Sequence, residues 1–215
     1  MELFSRLIAL VLLILFLPLM IMISILLFLI QGRPIFYKHQ RVGYNFINFQ
    51  IYKFRTMIQN KGNVITQHND NRITKIGLWL RKFKIDEIPQ LINILKGEMR
   101  FIGPRPEVPD YFKENDFQFL KTIKPGISDF ASILFRNEEK YIHRINSKDP
   151  YSKLLEVKIE LANYYSSKKN FWLDFLLVLI TVSAIVFPDI SARLVFENFI
   201  PNDLIKTNKF FKNYN

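Results

Sequence analysis

The chain has 215 residues, of which 49% are apolar, so it can bury a core and is not disordered throughout. It contains no Cys, which excludes disulfide frameworks, thiolate metal sites and Cys nucleophiles. The formal net charge is +11, and most of the excess lies between Arg33 and Pro106, where 14 Lys and Arg accompany only four acidic residues. This concentration predicts an anionic partner, which is nucleic acid, membrane headgroups or a phosphorylated substrate.

An uncharged apolar segment lies near the start of the chain, from Leu7 to Ile30, and is interrupted only by Pro18 and Ser24. About 20 apolar residues suffice to cross a bilayer, so we predict a membrane helix here. A cleaved signal peptide is disfavoured, because the segment is longer than a signal-peptide core and no small-residue cleavage site follows it.

Pro18 lies near the middle of this segment and is expected to kink the helix, because proline removes a helical hydrogen bond. Each half is then about 17 Å long, roughly half the hydrocarbon core of a bilayer. Two halves of this length suit a helix that enters and leaves on the same face, as well as a kinked helix that spans the membrane. The residues alone favour the span, with Arg33, Lys38 and Arg41 on the cytoplasmic side.

Two short segments rich in aromatic and β-branched residues follow, Phe36–Val42 and Phe46–Phe54, and they predict a β-hairpin with its turn at Gly43–Asn45. The polar stretch 60–71 is expected to be a loop. Apolar residues at helical spacing then predict a helix that ends near Lys84.

A second helix is predicted after Pro89, with Gly97 as its C-cap. The stretch from Glu107 to Tyr165 carries no motif that we can interpret. Phe171–Phe187 is apolar but short for a membrane span, so it is expected to be a buried or interfacial helix. The polar tail after Pro201 is expected to fray.

Asp86 and Glu87 are the only adjacent acidic pair inside the basic third of the chain. In the structural interpretation, Asp86 caps a helix that has Pro89 in its first turn, and Glu87 complements the helix dipole. In the functional interpretation, a carboxylate at a helix N-terminus binds Mg²⁺ or attacks phosphorus. The residues alone leave both interpretations open.

Basic residues surround this pair in the sequence, and most of them are expected to face solvent or lipid headgroups. They are Lys53, Arg55, Arg72, Lys75, Arg81, Lys82, Lys96, Arg100 and Arg105. Arg105 stands between two prolines, so its guanidinium is rigidly presented and suits bidentate phosphate contact, although a stiff surface loop is an equal alternative. No glycine-rich dinucleotide or P-loop motif occurs.

Five short motifs occur in order along the sequence. They are Lys53-Phe54-Arg55-Thr56-Met57, Arg72-Ile73-Thr74-Lys75-Ile76-Gly77, Asp86-Glu87-Ile88-Pro89-Gln90-Leu91-Ile92-Asn93, Lys96-Gly97-Glu98-Met99 and Gly103-Pro104-Arg105-Pro106. In this order they resemble the bacterial sugar transferase family, the monotopic polyprenyl-phosphate phosphoglycosyl transferases, in its minimal form. Arg41-Val42-Gly43 and Lys124-Pro125-Gly126-Ile127 extend the resemblance, which covers residues 7–127.

The resemblance implies an α/β fold that is mostly helical and membrane-associated, and it reverses the preference for a spanning helix. Residues 1–32 would form a re-entrant helix kinked at Pro18, and residues 33–170 a small catalytic domain on the cytoplasmic face of the bacterial inner membrane. Residues 171–215 would form an interfacial apolar helix and a polar tail. A homodimer is compatible with this arrangement.

The resemblance also implies a reaction, in which a sugar-1-phosphate passes from a UDP-sugar to undecaprenyl phosphate and UMP is released. By the same resemblance, Asp86 would be the nucleophile and Glu87 its acidic partner, with Mg²⁺ bound at this pair. The residues expected to bind substrate are Lys53, Arg55, Arg72, Arg81, Pro104 and Arg105.

The chain departs from the family pattern at three places. Ala9 stands where an acidic residue is usual in the membrane helix, Leu17 replaces the Ser before the kink proline, and Ser128–Ser132 differs in a region expected to touch the sugar. Two other classes of function are alternatives to a transferase. One is a non-catalytic membrane scaffold, and the other is a nucleic-acid-binding membrane protein, for which the acidic pair gives no support.

Overall fold

The computed structural model describes residues 2–58, 70–202 and 204. The loop predicted for residues 60–71 therefore lies outside the described residues except for its last two positions. The tail that is expected to fray after Pro201 also lies outside them, apart from residues 202 and 204.

The described residues form eight α-helices. They are α1 (Glu2–Gln31), α2 (Lys75–Lys82), α3 (Leu91–Lys96), α4 (Phe130–Leu134), α5 (Glu138–Arg144), α6 (Pro150–Lys168), α7 (Phe171–Val186) and α8 (Pro188–Phe199). The same residues form four strands, β1 (Phe36–Val42), β2 (Asn48–Phe54), β3 (Arg100–Ile102) and β4 (Gly126–Ser128). Short 3-10 segments connect them at Tyr44–Phe46, Ile85–Gln90, Pro109–Tyr111 and Gln118–Lys121.

The helix α1 is apolar on all sides but packs on the rest of the protein along one stripe. Its buried residues recur at helical spacing and are Ala9, Met20, Ile23 and Leu27. Most of its other apolar side chains are exposed. Among the described helices, α1 alone has the length and apolar composition needed to cross a bilayer. Residues on both sides of Pro18 belong to this one helix of 30 residues, so the predicted kink is not confirmed.

Both ends of α1 are bonded to the same globular part of the protein. At its start, Glu2 forms an ion pair with Lys124 at 2.9 Å. At its end, the Arg55 guanidinium donates to the carbonyls of Gln31, Gly32 and Arg33, the last two at 3.0 Å. These carbonyls have no helical partner of their own, so Arg55 satisfies the C-terminal end of α1.

The predicted hairpin is confirmed, because β1 and β2 pair antiparallel with Phe36 opposite Phe54 and Val42 opposite Asn48. Helix α3 lies against this hairpin through Asn93, whose side chain donates to the Gln50 carbonyl at 2.7 Å. The predicted C-cap is also confirmed, since Gly97 ends α3 with φ of 79°.

The main hydrophobic core lies in the second half of the chain, where the sequence showed no motif before Tyr165. Helices α4, α6, α7 and α8 contribute Phe130, Leu154, Leu177 and Val195 to it. One side of α7 is buried in this core, while most of its remaining apolar residues are exposed. The predicted helix is therefore confirmed and is partly buried, while its placement at the membrane interface stays a prediction. The domain division at residue 171 stays a prediction.

Candidate active site

The acidic pair lies in a 3-10 segment, Ile85–Gln90, and both carboxylates are buried, each residue being 6% exposed. Lys84 precedes the segment in the left-handed region, with φ of 58°, and the next helix begins only at Leu91. The N-cap interpretation of Asp86 is therefore wrong. Its Oδ1 is buried and accepts no hydrogen bond from the residues that the structure describes.

Apolar contacts of the residues on either side of the acidic pair hold the 3-10 segment in place. Ile85 and Ile88, which flank the carboxylates, pack against a cluster that includes Met20 and Ile23 of α1. Ile85 and Ile88 are three residues apart, so in a 3-10 turn they lie on the same face, and the two carboxylates stand between them in the sequence. The site is thereby attached to the middle of the apolar helix α1.

Glu87 is enclosed by cations. Its Oε1 lies 2.8 Å from Lys53 Nζ and 2.7 Å from Arg105 Nη2, and its Oε2 lies 3.4 Å from Arg105 Nη1. Lys84 Nζ is 3.9 Å from the same carboxylate. Burial alone would raise the pKa of Glu87, but Arg105, Lys53 and Lys84 hold that pKa well below its usual range. Glu87 is therefore a permanent anion.

The two partners of Glu87 respond in opposite directions. Burial lowers the pKa of Lys53 to about 8, and the opposing attraction of Glu87 offsets only part of this effect. The neighbouring Glu87 raises the pKa of Arg105, so this guanidinium stays charged. Of these two partners, Lys53 is therefore the one that can change its charge near neutral pH.

Asp86 differs from Glu87 in forming no ion pair with any cation in the part of the chain that the structure describes. Burial and the adjacent charge of Glu87 raise the pKa of Asp86, while the more distant Lys53, Lys84 and Arg81 act against them. A buried carboxylate with an unpartnered oxygen is the group best placed in this site to attack phosphorus or to bind a cation.

Arg105 is positioned by the meeting of two of the family-like segments. The Gly103 amide donates to Ser128, and the Gly126 amide donates to the Pro104 carbonyl, both at 3.0 Å. A Cβ on either glycine would overlap the backbone of the other segment, so this close pairing requires glycine. The Arg105 amide then donates to Asp129 Oδ2 at 3.1 Å.

A buried network beyond Arg105 was missed by the sequence analysis. Glu107 accepts a hydrogen bond from Tyr151 at 2.7 Å and from the Val108 amide at 2.8 Å. Arg41 donates to the Pro106 carbonyl at 3.3 Å. These contacts fix the backbone on the far side of Arg105. Tyr151 lies in the stretch without motifs, so no sequence signal could have identified it.

The other predicted substrate-binding residues are distributed around the pair. Arg81 donates to Thr56 Oγ1 at 3.0 Å and lies within electrostatic reach of Asp86. Arg72 pairs with Asp70, and its Nε lies 2.8 Å from Asp70 Oδ1. Arg55 binds the end of α1, as described above. Substrate contact by these residues, and by Pro104, stays a prediction.

Arg136 is a further basic residue that the sequence analysis did not select. It donates to the Lys82 carbonyl at 2.9 Å, and the charges of Glu87 and Asp86 both act on it. Burial nevertheless lowers the pKa of this guanidinium. Arg136 follows the divergent stretch Ser128–Ser132, and nothing in the sequence connects Arg136 to the acidic pair, so it could not be selected as a site residue.

The pair is compatible with a magnesium ion. No group of three His, Asp or Glu residues suited to a metal occurs within residues 2–58, 70–202 and 204. Mg²⁺ at a phosphate-transfer site needs only one or two carboxylates, however, because substrate phosphates and water complete its shell. The unpartnered oxygen of Asp86 fits this role, with Glu87 beside it.

Residues 1–188 match the family model described as "Bacterial sugar transferase". The chain is 35% identical over 180 residues to the UDP-N-acetylgalactosamine-undecaprenyl-phosphate N-acetylgalactosaminephosphotransferase of Aeromonas hydrophila, covering 80% of this chain and 40% of that protein. It is 36% identical over 162 residues to the exopolysaccharide production protein ExoY of Rhizobium meliloti, covering 66% of this chain and 72% of ExoY.

A third similar protein is the undecaprenyl-phosphate galactose phosphotransferase of Salmonella typhimurium, with 33% identity over 159 residues. That match covers 65% of this chain and 33% of the Salmonella protein. The chain thus spans less than half the length of two of these relatives and about three quarters of the third.

Proposed function

This chain belongs to the bacterial sugar transferase family, and from that premise we propose that it transfers a sugar-1-phosphate from a UDP-sugar to undecaprenyl phosphate, releasing UMP. The reaction would be the first membrane step of a glycan pathway, for lipopolysaccharide, capsule, exopolysaccharide or glycoprotein. One observation carries the proposal. Lys53 and Arg105 neutralise Glu87, while the adjacent buried Asp86 keeps an oxygen free.

The chemistry follows from this asymmetry. A carboxylate oxygen of Asp86 attacks the sugar-bearing phosphorus of the UDP-sugar, and the bond from that phosphorus to the bridging oxygen of UMP breaks. The product is an aspartyl phosphosugar, an acyl phosphate that retains the potential for transfer. A phosphate oxygen of undecaprenyl phosphate then attacks the same phosphorus and releases the Asp86 carboxylate. Neither displacement requires a proton transfer.

The surrounding charges suit a reaction between anions. Arg105 is rigidly held and can neutralise charge that develops on the phosphoryl oxygens. Lys53 and Glu87 orient one another, and Glu87 in turn fixes the Arg105 guanidinium through a contact of 2.7 Å. Mg²⁺ held at Asp86 and Glu87 would polarise the diphosphate and stabilise the departing UMP.

The contacts of α1 support a re-entrant arrangement, which we place on the cytoplasmic face of the inner membrane. Glu2 and the carbonyls after Gln31 are both bonded to the globular part of the protein that contains Asp86. Because both ends of α1 are attached to the same globular part, both ends lie on one side of the membrane. The exposed apolar face of α1 would then lie in the bilayer, close to the phosphate of the lipid acceptor.

The topology can be tested because the natural chain contains no Cys. Single cysteines at positions 2 and 33 are expected to react with a membrane-impermeant reagent only from the cytoplasmic side. Labelling of position 2 from the periplasm would contradict the arrangement. A cysteine at exposed position 153 on α6 serves as the cytoplasmic reference.

The activity can be tested by measuring UMP release from a panel of UDP-sugars with Mg²⁺ and undecaprenyl phosphate. Turnover that requires lipid and metal, and that disappears in Asp86→Asn, is expected. The alternative is a non-catalytic membrane scaffold of a glycan-assembly complex. It predicts no UMP release from folded, membrane-bound protein with any donor.

A further inference from the structure

A second group of cations lies at the N-terminal end of α1, apart from the residues that bind Glu87. Arg6, Arg100 and Lys124 line one recess together with Gly97. Lys124 is paired with Glu2, as described above. Arg100 Nη2 lies 3.8 Å from Asp174 Oδ2, which is too far for a hydrogen bond.

Arg6 is the cation of this group without an ion-pair partner among the described residues, although its charge acts on Glu2, which also lines the recess. Within the described part of the chain no carboxylate forms an ion pair with Arg6, and its buried Nε has no hydrogen-bond partner. Its guanidinium lies directly on the bare Cα of Gly97, where any Cβ would overlap it. Packing, rather than an ion pair, therefore holds this charge at the recess.

Two helices with free apolar faces begin at the same recess. Glu2 places the first turn of α1 there, and Asp174 places the first turn of α7 there. The exposed apolar side chains of these two turns are large. They are Leu3, Phe4, Phe171 and Trp172, each more than half exposed. Cations beside exposed aromatic and aliphatic side chains are typical of protein surfaces at the headgroup level of a bilayer.

We infer that this recess binds the phosphate of an anionic phospholipid. The Arg6 and Arg100 guanidinium groups would donate to the phosphate oxygens, and the apolar residues of the two first turns would contact the acyl chains. Charge complementarity selects an anionic lipid over a zwitterionic one, because the phosphate of a zwitterionic lipid is already balanced by its own cation. The inference does not depend on the proposed function.

The site complements the topology of α1. An anionic headgroup held at the recess fixes the start of the helix at the membrane surface, since basic residues near an anionic leaflet are attracted to it. Lys169 is a further cation near Arg100 and adds to this attraction. Burial and the nearby charge of Arg100 lower the pKa of the Lys169 ammonium group. The recess would thus position α1 and α7 at a common depth.

Native mass spectrometry of the full-length protein in detergent tests this inference. Phosphatidylglycerol and phosphatidylcholine with identical acyl chains are titrated separately. One phosphatidylglycerol molecule is expected to bind, with clear preference over phosphatidylcholine. In Arg6→Gln/Arg100→Gln the affinity is expected to fall about 25-fold, or about fivefold for each removed charge. The matched control Lys153→Gln/Arg193→Gln removes two exposed cations elsewhere and is expected to bind normally.

Further arms separate the possible ligands and exclude misfolding. Arg6→Lys/Arg100→Lys keeps both charges and is expected to retain most of the phosphatidylglycerol binding. Arg100→Gln alone leaves the contact of Arg6 with Gly97 intact and is expected to show the single-charge loss. Asp86→Asn, which alters only the catalytic pair, is expected to bind phosphatidylglycerol as the natural protein does.

Four results would overturn the inference. They are equal binding of the two lipids, unchanged phosphatidylglycerol binding in the double Gln variant when its thermal midpoint is normal, displacement by millimolar inorganic phosphate, and displacement by undecaprenyl phosphate at equal concentration. The third would assign the recess to free phosphate and the fourth to the acceptor. Failure of the transferase assay would leave all these measurements valid.

Discussion

Two groups of cations in this protein differ in how their charges are balanced. Around Glu87, Lys53 and Arg105 both contact an internal carboxylate within hydrogen-bonding distance. At the start of α1, Arg6 is held by packing on Gly97 and pairs with no described carboxylate. The comparison shows that one group of cations is balanced inside the protein, whereas Arg6 has no such balance among the described residues, and this difference is the basis of the two roles that we propose.

The two groups of cations also differ in how exposed their surroundings are. The pair Asp86 and Glu87 is buried between β2, the segment after β3 and the 3-10 turn that carries it. The recess at Arg6 is lined by the first turns of α1 and by Arg100, which lies 3.8 Å from Asp174 in the first turn of α7, and both helices begin with exposed apolar side chains. One region is therefore suited to chemistry on a desolvated phosphate, and the other to attachment at a membrane surface.

The largest effect that distinguishes the two regions is expected from Asp86→Asn. The amide cannot act as a nucleophile, so the rate of UMP release should fall by about a thousandfold or more. Arg6→Gln is the matched comparison, since it removes one charge from the other region. It should retain nearly normal turnover in detergent. Residual activity of Asp86→Asn near the normal rate would contradict the assignment of the nucleophile.

Arg105→Lys is expected to have the next largest effect. A lysine keeps the positive charge but cannot contact both oxygens of Glu87 and a substrate phosphate with a planar fork. Initial rates of UMP release should fall about 100-fold. Arg193→Lys, on the exposed surface of α8, is the control and should leave the rate unchanged. Turnover close to normal in Arg105→Lys would reject the clamp.

Glu87→Gln is expected to change the pH dependence of the reaction. Burial and the charge of Glu87 both raise the pKa of Asp86, so the natural enzyme should lose activity on acidification at a higher pH than an ordinary aspartate would allow. Removing the neighbouring charge lowers this pKa and moves the acidic limb of the rate profile to lower pH. An acidic limb that stays in place would show that Glu87 does not act on Asp86.

Lys53→Arg is expected to have the smallest effect at neutral pH, within about fivefold, but to alter the alkaline limb. Burial lowers the pKa of Lys53 to about 8, so the natural enzyme should lose activity as the pH rises through this value. Arginine stays protonated and should remove that loss. Lys96→Arg, at an exposed lysine, is the control. An alkaline limb that persists in Lys53→Arg would assign it to another group.

Much of the fold near the site could be predicted because its signals are local. The alternation of β1 and β2 and the left-handed Gly97 follow from residues next to one another in the chain. The 3-10 geometry at Asp86 could not be predicted, and the residues that flank the pair, Ile85 and Ile88, pack against Met20 and Ile23 of α1, more than 60 residues away in the sequence. The left-handed Lys84 carried no signal either, since lysine rarely adopts that conformation.

The same distinction applies to the candidate site. Lys53 and Arg105 were selected from the sequence, and the structure brings both to Glu87. Arg55 was selected by the same reasoning, yet the structure places its guanidinium on the end of α1. Basic residues are alike in sequence, and only tertiary contacts separate those that face the carboxylates from those that close a helix. Arg136 and Tyr151 were missed for the same reason.

The most direct test of the central claim is to mix the purified protein with its UDP-sugar and Mg²⁺ in the absence of undecaprenyl phosphate. A covalent intermediate on Asp86 predicts a burst of about one UMP per protein molecule, together with a sugar phosphate attached to the peptide that contains Asp86, and neither in Asp86→Asn. Glu87→Gln should give the same attachment site. Release of UMP only when the lipid is present, with no modified peptide, would contradict a covalent intermediate on Asp86.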